Sequence, residues 1–220
     1  MTHASTRQGK RGLLALLRNT RAVAIVEFAL CVPILLVLVM YGIELANYLI
    51  VRQRVSQLAL QVADNASRIG VETVMTNVPI TETQINDLML GAQLQSASLD
   101  IQQNGTIILS SLETNKSGGQ WIHWQRCYGA GNHDSSYGKE GDGATGNLFK
   151  GMGQPGELVT ASEDVPVMFV EIAYNYTPAI SSTFAPHGTI RESAALAVRD
   201  DRDISQVYNP ANEEIARCKW

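Results

Sequence analysis

The chain has 220 residues and a net charge of −4, with 45% hydrophobic and 17% charged residues. That balance gives no large basic surface, so nucleic acid is not an expected partner. About 170 residues follow one long apolar run, enough for a single globular domain with a modest core.

In chain order, residues 1–22 form a basic leader carrying Arg7, Lys10, Arg11, Arg18 and Arg21, with no acid before Glu27. From Ala22 to Ile43 the sequence is apolar at nearly every position, and Glu27 is its one charge. A helix needs roughly 20 apolar residues to cross a bilayer, and only a helix can do so as a lone segment. The run is longer than the apolar core of a cleavable secretory signal and lacks a nearby A-x-A site, which favours a retained anchor. The clustering of positive charge ahead of it places the N-terminus in the cytoplasm and the rest of the chain outside.

The residues Arg21-Ala22-Val23-Ala24-Ile25-Val26-Glu27-Phe28-Ala29-Leu30 resemble the start of a type IV pilin-like protein. More narrowly, the stretch from Ala22 to Leu45 resembles the N-terminus of the TadE-like pseudopilins of the tight-adherence (Flp) pilus machinery. The resemblance implies removal of the basic leader by a prepilin peptidase, with the cut between Ala22 and Val23. It also implies the lipid bilayer, other pilin-like subunits and Tad assembly proteins as partners, in a bacterial inner membrane. Ala22 stands where that family typically has Gly. Physical chemistry reads the same residues independently. A small residue at Ala22 lets a protease approach the backbone. A new amine at Val23 would lie one helical turn from the Glu27 carboxylate, which could pair with it or with that of a neighbouring subunit. Phe28, the aromatic that follows the Glu, completes the processing motif that the resemblance implies. Pro33 removes a backbone donor within the run, and Gly42 permits close helix contact.

Val51, Val55, Leu58, Val62, Ala66 and Ile69 recur at helical spacing beyond the apolar run, so the helix is expected over residues 23–70, capped by Gly70. Its apolar stripe would pack on the chain's own sheet, with partner helices as the alternative. Residues 71–220 are then an exported α+β domain. Thr81-x-x-Gln84 opens a short amphipathic helix over 81–95. Asn104-Gly105, between Leu99–Gln103 and Thr106–Leu109, predicts a β-hairpin. Trp121–Cys127 is a third strand. The glycine-rich stretch 128–156 is expected to be a long irregular, solvated loop or to be partly disordered. Val165–Tyr176 alternates with Met168, Val170, Ile172, Tyr174 and Tyr176 on one face, and Thr189–Arg199 with Ile190, Ala194, Leu196 and Val198. Outside the cytoplasm Cys127 and Cys218 are expected to pair, two free thiols being the alternative, while Cys31 is a small residue of the membrane run.

The expected fold is therefore α+β and pilin-like: a long N-terminal transmembrane helix, then a periplasmic domain with an antiparallel sheet of four or five strands. The expected function is a minor pilin-like subunit in pilus assembly, without cofactor, catalytic residues or metal. His123, His133, Asp134 and Asp142 fit no ligand spacing, and Asp134-Ser135-Ser136 resembles an adhesion-type metal motif only until Gly138. Two alternatives stay open. One is a pseudopilin of a secretion system. The other is a membrane-anchored periplasmic hydrolase using Ser, His and Asp, although no G-x-S-x-G elbow is present.

Overall fold

A computed structural model describes residues 20–70, 78–96, 98–163, 165–180, 186–199 and 202–219. The leader up to residue 19 and residues 71–77 lie outside the described residues. By contact the chain forms two units. One holds the helix as far as Asn47 together with the segment Pro178–Pro186; the other holds Tyr48–Thr177 and His187 onward.

Helix α1 runs unbroken over Thr20–Ser67, with Pro33 inside it. Its second half carries Val55, Leu58, Ala59, Val62, Ala63 and Ala66, all buried. These positions form one stripe at helical spacing, and three of them are alanines, which let the helix lie close on the sheet. The helix ends in tight turns, Arg68 N–H to Asn65 O at 3.0 Å and Ile69 N–H to Ala66 O at 3.4 Å, with Gly70 at φ 96°. That positive φ is why a glycine follows the helix.

Strand β1 (Val78–Thr81) leads into helix α2 (Glu82–Gln95) through the expected capping box. The Gln84 N–H donates to Thr81 Oγ1 at 3.3 Å, and the Thr81 N–H donates to Gln84 Oε1 at 3.0 Å. Each bond occupies a donor that the first helical turn would leave orphaned.

The expected Asn-Gly hairpin is absent. Ile101–Asn104 is instead a short helix, α3, closed by Asn104 N–H to Asp100 O at 2.9 Å. Strand β2 (Gly105–Thr114) starts directly after it. Gly105 has φ −133°, so the positive φ that a hairpin turn takes from Gly is not used. Leu99 and Ile101 are buried in the helix-side core, and that burial overrides the turn preference.

Strands β3 (Gln120–Tyr128), β6 (Val167–Tyr176) and β7 (Gly188–Ala197) join β2 in an antiparallel sheet of order β3-β2-β6-β7. A second pair, β4 (Met152–Gln154) and β5 (Glu157–Val159), is a small hairpin. Strand β8 (Arg202–Tyr208) runs parallel to β1. The architecture is the expected one: a long apolar helix followed by an α+β domain with a four-stranded antiparallel sheet.

The sheet is covered on both faces. On one, Met168, Val170, Ile172, Tyr174 and Ile190 pack with the α1 stripe and with Ile85, Met89 and Ala92 of α2. On the other, Leu112, Ile122, Val167 and Phe169 pack with Tyr137, Phe149, Met152 and Val159. The glycine-rich stretch is therefore a covering layer rather than a solvated loop. Asn115 fastens it by donating to Gly143 O and Gly146 O, each at 2.7 Å. Gly143 shows why side chains are excluded there, since a Cβ would fall 2.1 Å from Gln120 O.

The outer edge of β3 is occupied as well. Ile122 exchanges backbone hydrogen bonds with Asp142 and Gly141, Gln125 N–H donates to Glu140 Oε2, and Cys127 N–H donates to Ala216 O. Strand pairing by another chain is thereby blocked along β3. A Cys127–Cys218 disulfide, with Cα atoms 4.9 Å apart, holds the C-terminal segment on this edge.

Candidate membrane anchor and processing element

The residues expected to form the processing site open α1. Val23 is 41% exposed and Phe28 70% exposed, and Glu27 is also exposed. Val23 and Glu27 are four residues apart on a continuous helix, so they share a face. Ala22 is helical in its backbone. Pro33 is exposed, and the space beside Gly42 is open, with nothing within 4 Å of where a Cβ would stand. Cys31 is a free, exposed thiol on the same surface.

Among the described residues, one helix is long and apolar enough to cross a membrane, and its most apolar window is not buried at all by the rest of the protein. Ile25, Val26, Leu30, Ile34, Leu35 and Leu38 are all more than half exposed. A soluble core helix would bury such residues. Their exposure, with a larger domain following, is the build of a single-pass membrane protein.

Sequence reasoning missed Glu44, which lies one residue past the run whose charges were weighed. It is only 3% exposed. Its Oε1 accepts from the Ala179 N–H at 3.1 Å and its Oε2 from the Ile180 N–H at 2.8 Å. An acid within a surface that stays apolar as far as Ile50 was the available signal, because such a group requires a partner. Nothing in the local sequence names Pro178–Ile180 as that partner.

The polar groups of the domain are arranged for structure. The Arg126 guanidinium donates to both Glu82 oxygens, at 2.5 to 3.2 Å, and lies 5.8 Å from the Trp124 ring centre. Glu113 accepts from Ser111 Oγ at 2.7 Å through one oxygen and meets His123 Nδ1 at 2.9 Å through the other. The carboxylate thus stands between hydroxyl and imidazole, which is not the order in which a base activates a serine nucleophile. His133 meets Asn175 instead, at 2.9 Å, and Asp142 accepts from the Lys139 N–H at 2.8 Å. Ser135 Oγ and the Ser136 N–H both donate to Glu171, joining the covering layer to β6. Burial raises the Glu171 pKa, partly opposed by those two bonds and by the Arg191 charge. Among the described residues no group of three His, Cys, Asp or Glu side chains could hold a metal ion.

The exposed apolar helix, followed by a larger sheet domain, is that of a single-pass membrane protein. Residues 22–68 match the model of a family described as TadE-like protein. The match coincides with the helix and stops before the sheet domain. No curated protein and no solved structure matches the chain.

Proposed function

We propose that the chain is a minor pilin-like subunit of a tight-adherence (Flp) pilus assembly machinery, anchored in a bacterial inner membrane with its sheet domain in the periplasm. A prepilin peptidase cuts between Ala22 and Val23. The new amine at Val23 then pairs with Glu27 of the same or a neighbouring subunit, lowering the cost of a carboxylate in the membrane. Pro33 and Gly42 shape the helix surface on which other pilin-like subunits pack. The observation that carries the reading is the TadE-like match, which spans residues 22–68 and so begins at the residue before the proposed cut. The uncovered apolar surface of α1 supports it, because that surface needs lipid or other helices.

Intact mass and N-terminal sequencing of the membrane-extracted protein test the proposal. A chain beginning at Val23 is expected from a host with the peptidase, and an uncut chain from a host without it. Retention of the leader in both hosts would remove the processing step. Replacing Ala22 by Gly is expected to raise the cut fraction, and replacing it by a bulky Leu to abolish the cut.

A further inference from the structure

The Glu44 contact lies where the membrane should end. At 1.5 Å per residue, the helix rises roughly 32 Å from Val23 to Glu44, about one hydrocarbon thickness. Tyr41, exposed, stands one turn before Glu44, and tyrosines gather at membrane–water boundaries. The helix surface around this level is still apolar and exposed, at Ile43, Leu45, Leu49 and Ile50. The segment leaving β6 reaches this same level and presents Ile180, a 40% exposed apolar side chain, beside the helix.

Irregular backbone survives next to hydrocarbon only if its polar groups are occupied from within the protein. Glu44 does this for two consecutive N–H groups. The same two bonds solvate a carboxylate that is otherwise cut off from water. A loop standing in bulk water would not require such an arrangement, because water would serve both partners.

From this geometry we infer that Pro178–Ile180 is a second membrane contact: it sits at the outer headgroup boundary, tied to α1 by Glu44, with Ile180 against lipid. The partner is the bilayer itself. The inference rests on the reading of α1 as a spanning helix, and the experiment separates the two.

The full chain carrying Cys31→Ser, with the Cys127–Cys218 disulfide intact, receives a single new cysteine at Val37, Ile180 or Leu148 and an environment-sensitive fluorophore on that thiol. Each protein is reconstituted into phosphatidylcholine–phosphatidylglycerol vesicles containing nitroxide lipids labelled either near the headgroup or deep in the chain. Leu148, 92% exposed on the covering layer, is the water reference. The Val37 label is expected to be quenched by the deep nitroxide. The Ile180 label should be blue-shifted and quenched by the shallow nitroxide several-fold more than the Leu148 label. Adding Glu44→Ala should bring the Ile180 label towards the Leu148 level without changing Val37. An Ile180 label as wet as Leu148, with Val37 quenched, overturns the loop contact and spares the helix. An unquenched Val37 label overturns the spanning helix and the loop contact with it. Quenching at Ile180 that survives Glu44→Ala overturns the role of Glu44 as the tie.

Discussion

Burying an arginine is tolerated only when its donors are occupied, and Arg126 meets that condition through Glu82, Glu140 and the Gln125 carbonyl. Arg126→Met leaves the Glu82 carboxylate buried without its counter-charge and is expected to cost about 3–5 kcal/mol. The double variant Arg126→Met with Glu82→Leu should recover most of that loss, because it removes the stranded charge as well. Denaturant unfolding of the detergent-solubilised protein measures both. Trp121 is a contrasting case. Its indole Nε1 is buried without a hydrogen-bond partner among the described residues, while the ring stacks on His123 at 4.1 Å. Trp121→Phe keeps an aromatic face and removes an unsatisfied donor, so its unfolding midpoint should stay close to wild type. Glu171 sets a pH dependence. Its pKa is raised in the folded protein, so the native state binds that proton more readily than the unfolded chain does. Its contribution is full below the ordinary glutamate pKa and is lost as pH rises through the raised value. Glu171→Gln should flatten this part of a melting-temperature profile recorded between about pH 4 and pH 8. A fall in stability over that range that persists in Glu171→Gln would assign it to other groups.

At the level of elements, the close seat of α1 on the sheet depends on Ala59, Ala63 and Ala66, each fully buried. Ala63→Leu is expected to cost about 1–3 kcal/mol through overpacking, read as a lower unfolding midpoint, whereas a leucine at exposed Gln57 should not. The elements also differ in how legible they were. The α1 stripe, the capping box of α2 and the alternating faces of β6 and β7 could be read because each is a periodic pattern whose meaning is local. Asn104-Gly105 misled because turn preference is weak beside the burial of Leu99 and Ile101. The covering layer was hidden for a different reason. Its contacts to the sheet come from scattered residues such as Tyr137, Phe149 and Met152, separated by glycines, and no period marks them. Glu44 shows the same limit, since its partners lie 135 and 136 residues away.

For the molecule as a whole, the order of parts along the chain constrains the order of assembly. The anchor comes early and the sheet strands lie between, but β1 finds its parallel partner only in β8, and Cys127 finds its own only in Cys218. Closing a loop of 91 residues removes freedom from the unfolded chain worth roughly 4–5 kcal/mol in the chain-entropy account. Cys127→Ser with Cys218→Ser is therefore expected to lower stability by up to about that amount, and wild-type protein in reductant should show the same loss. The timing has its own meaning. A chain made from its N-terminus can form the four-stranded sheet once β7 is complete, but the clip on β3 waits for Cys218. Until then the outer edge of β3 lacks the Ala216 carbonyl that takes up the Cys127 N–H. The disulfide thus acts as a mark of completion: segment 140–142 covers the rest of the β3 edge, but only a polypeptide made as far as residue 218 can clip its Cys127 end, so prematurely ended copies would keep that end open to strand pairing.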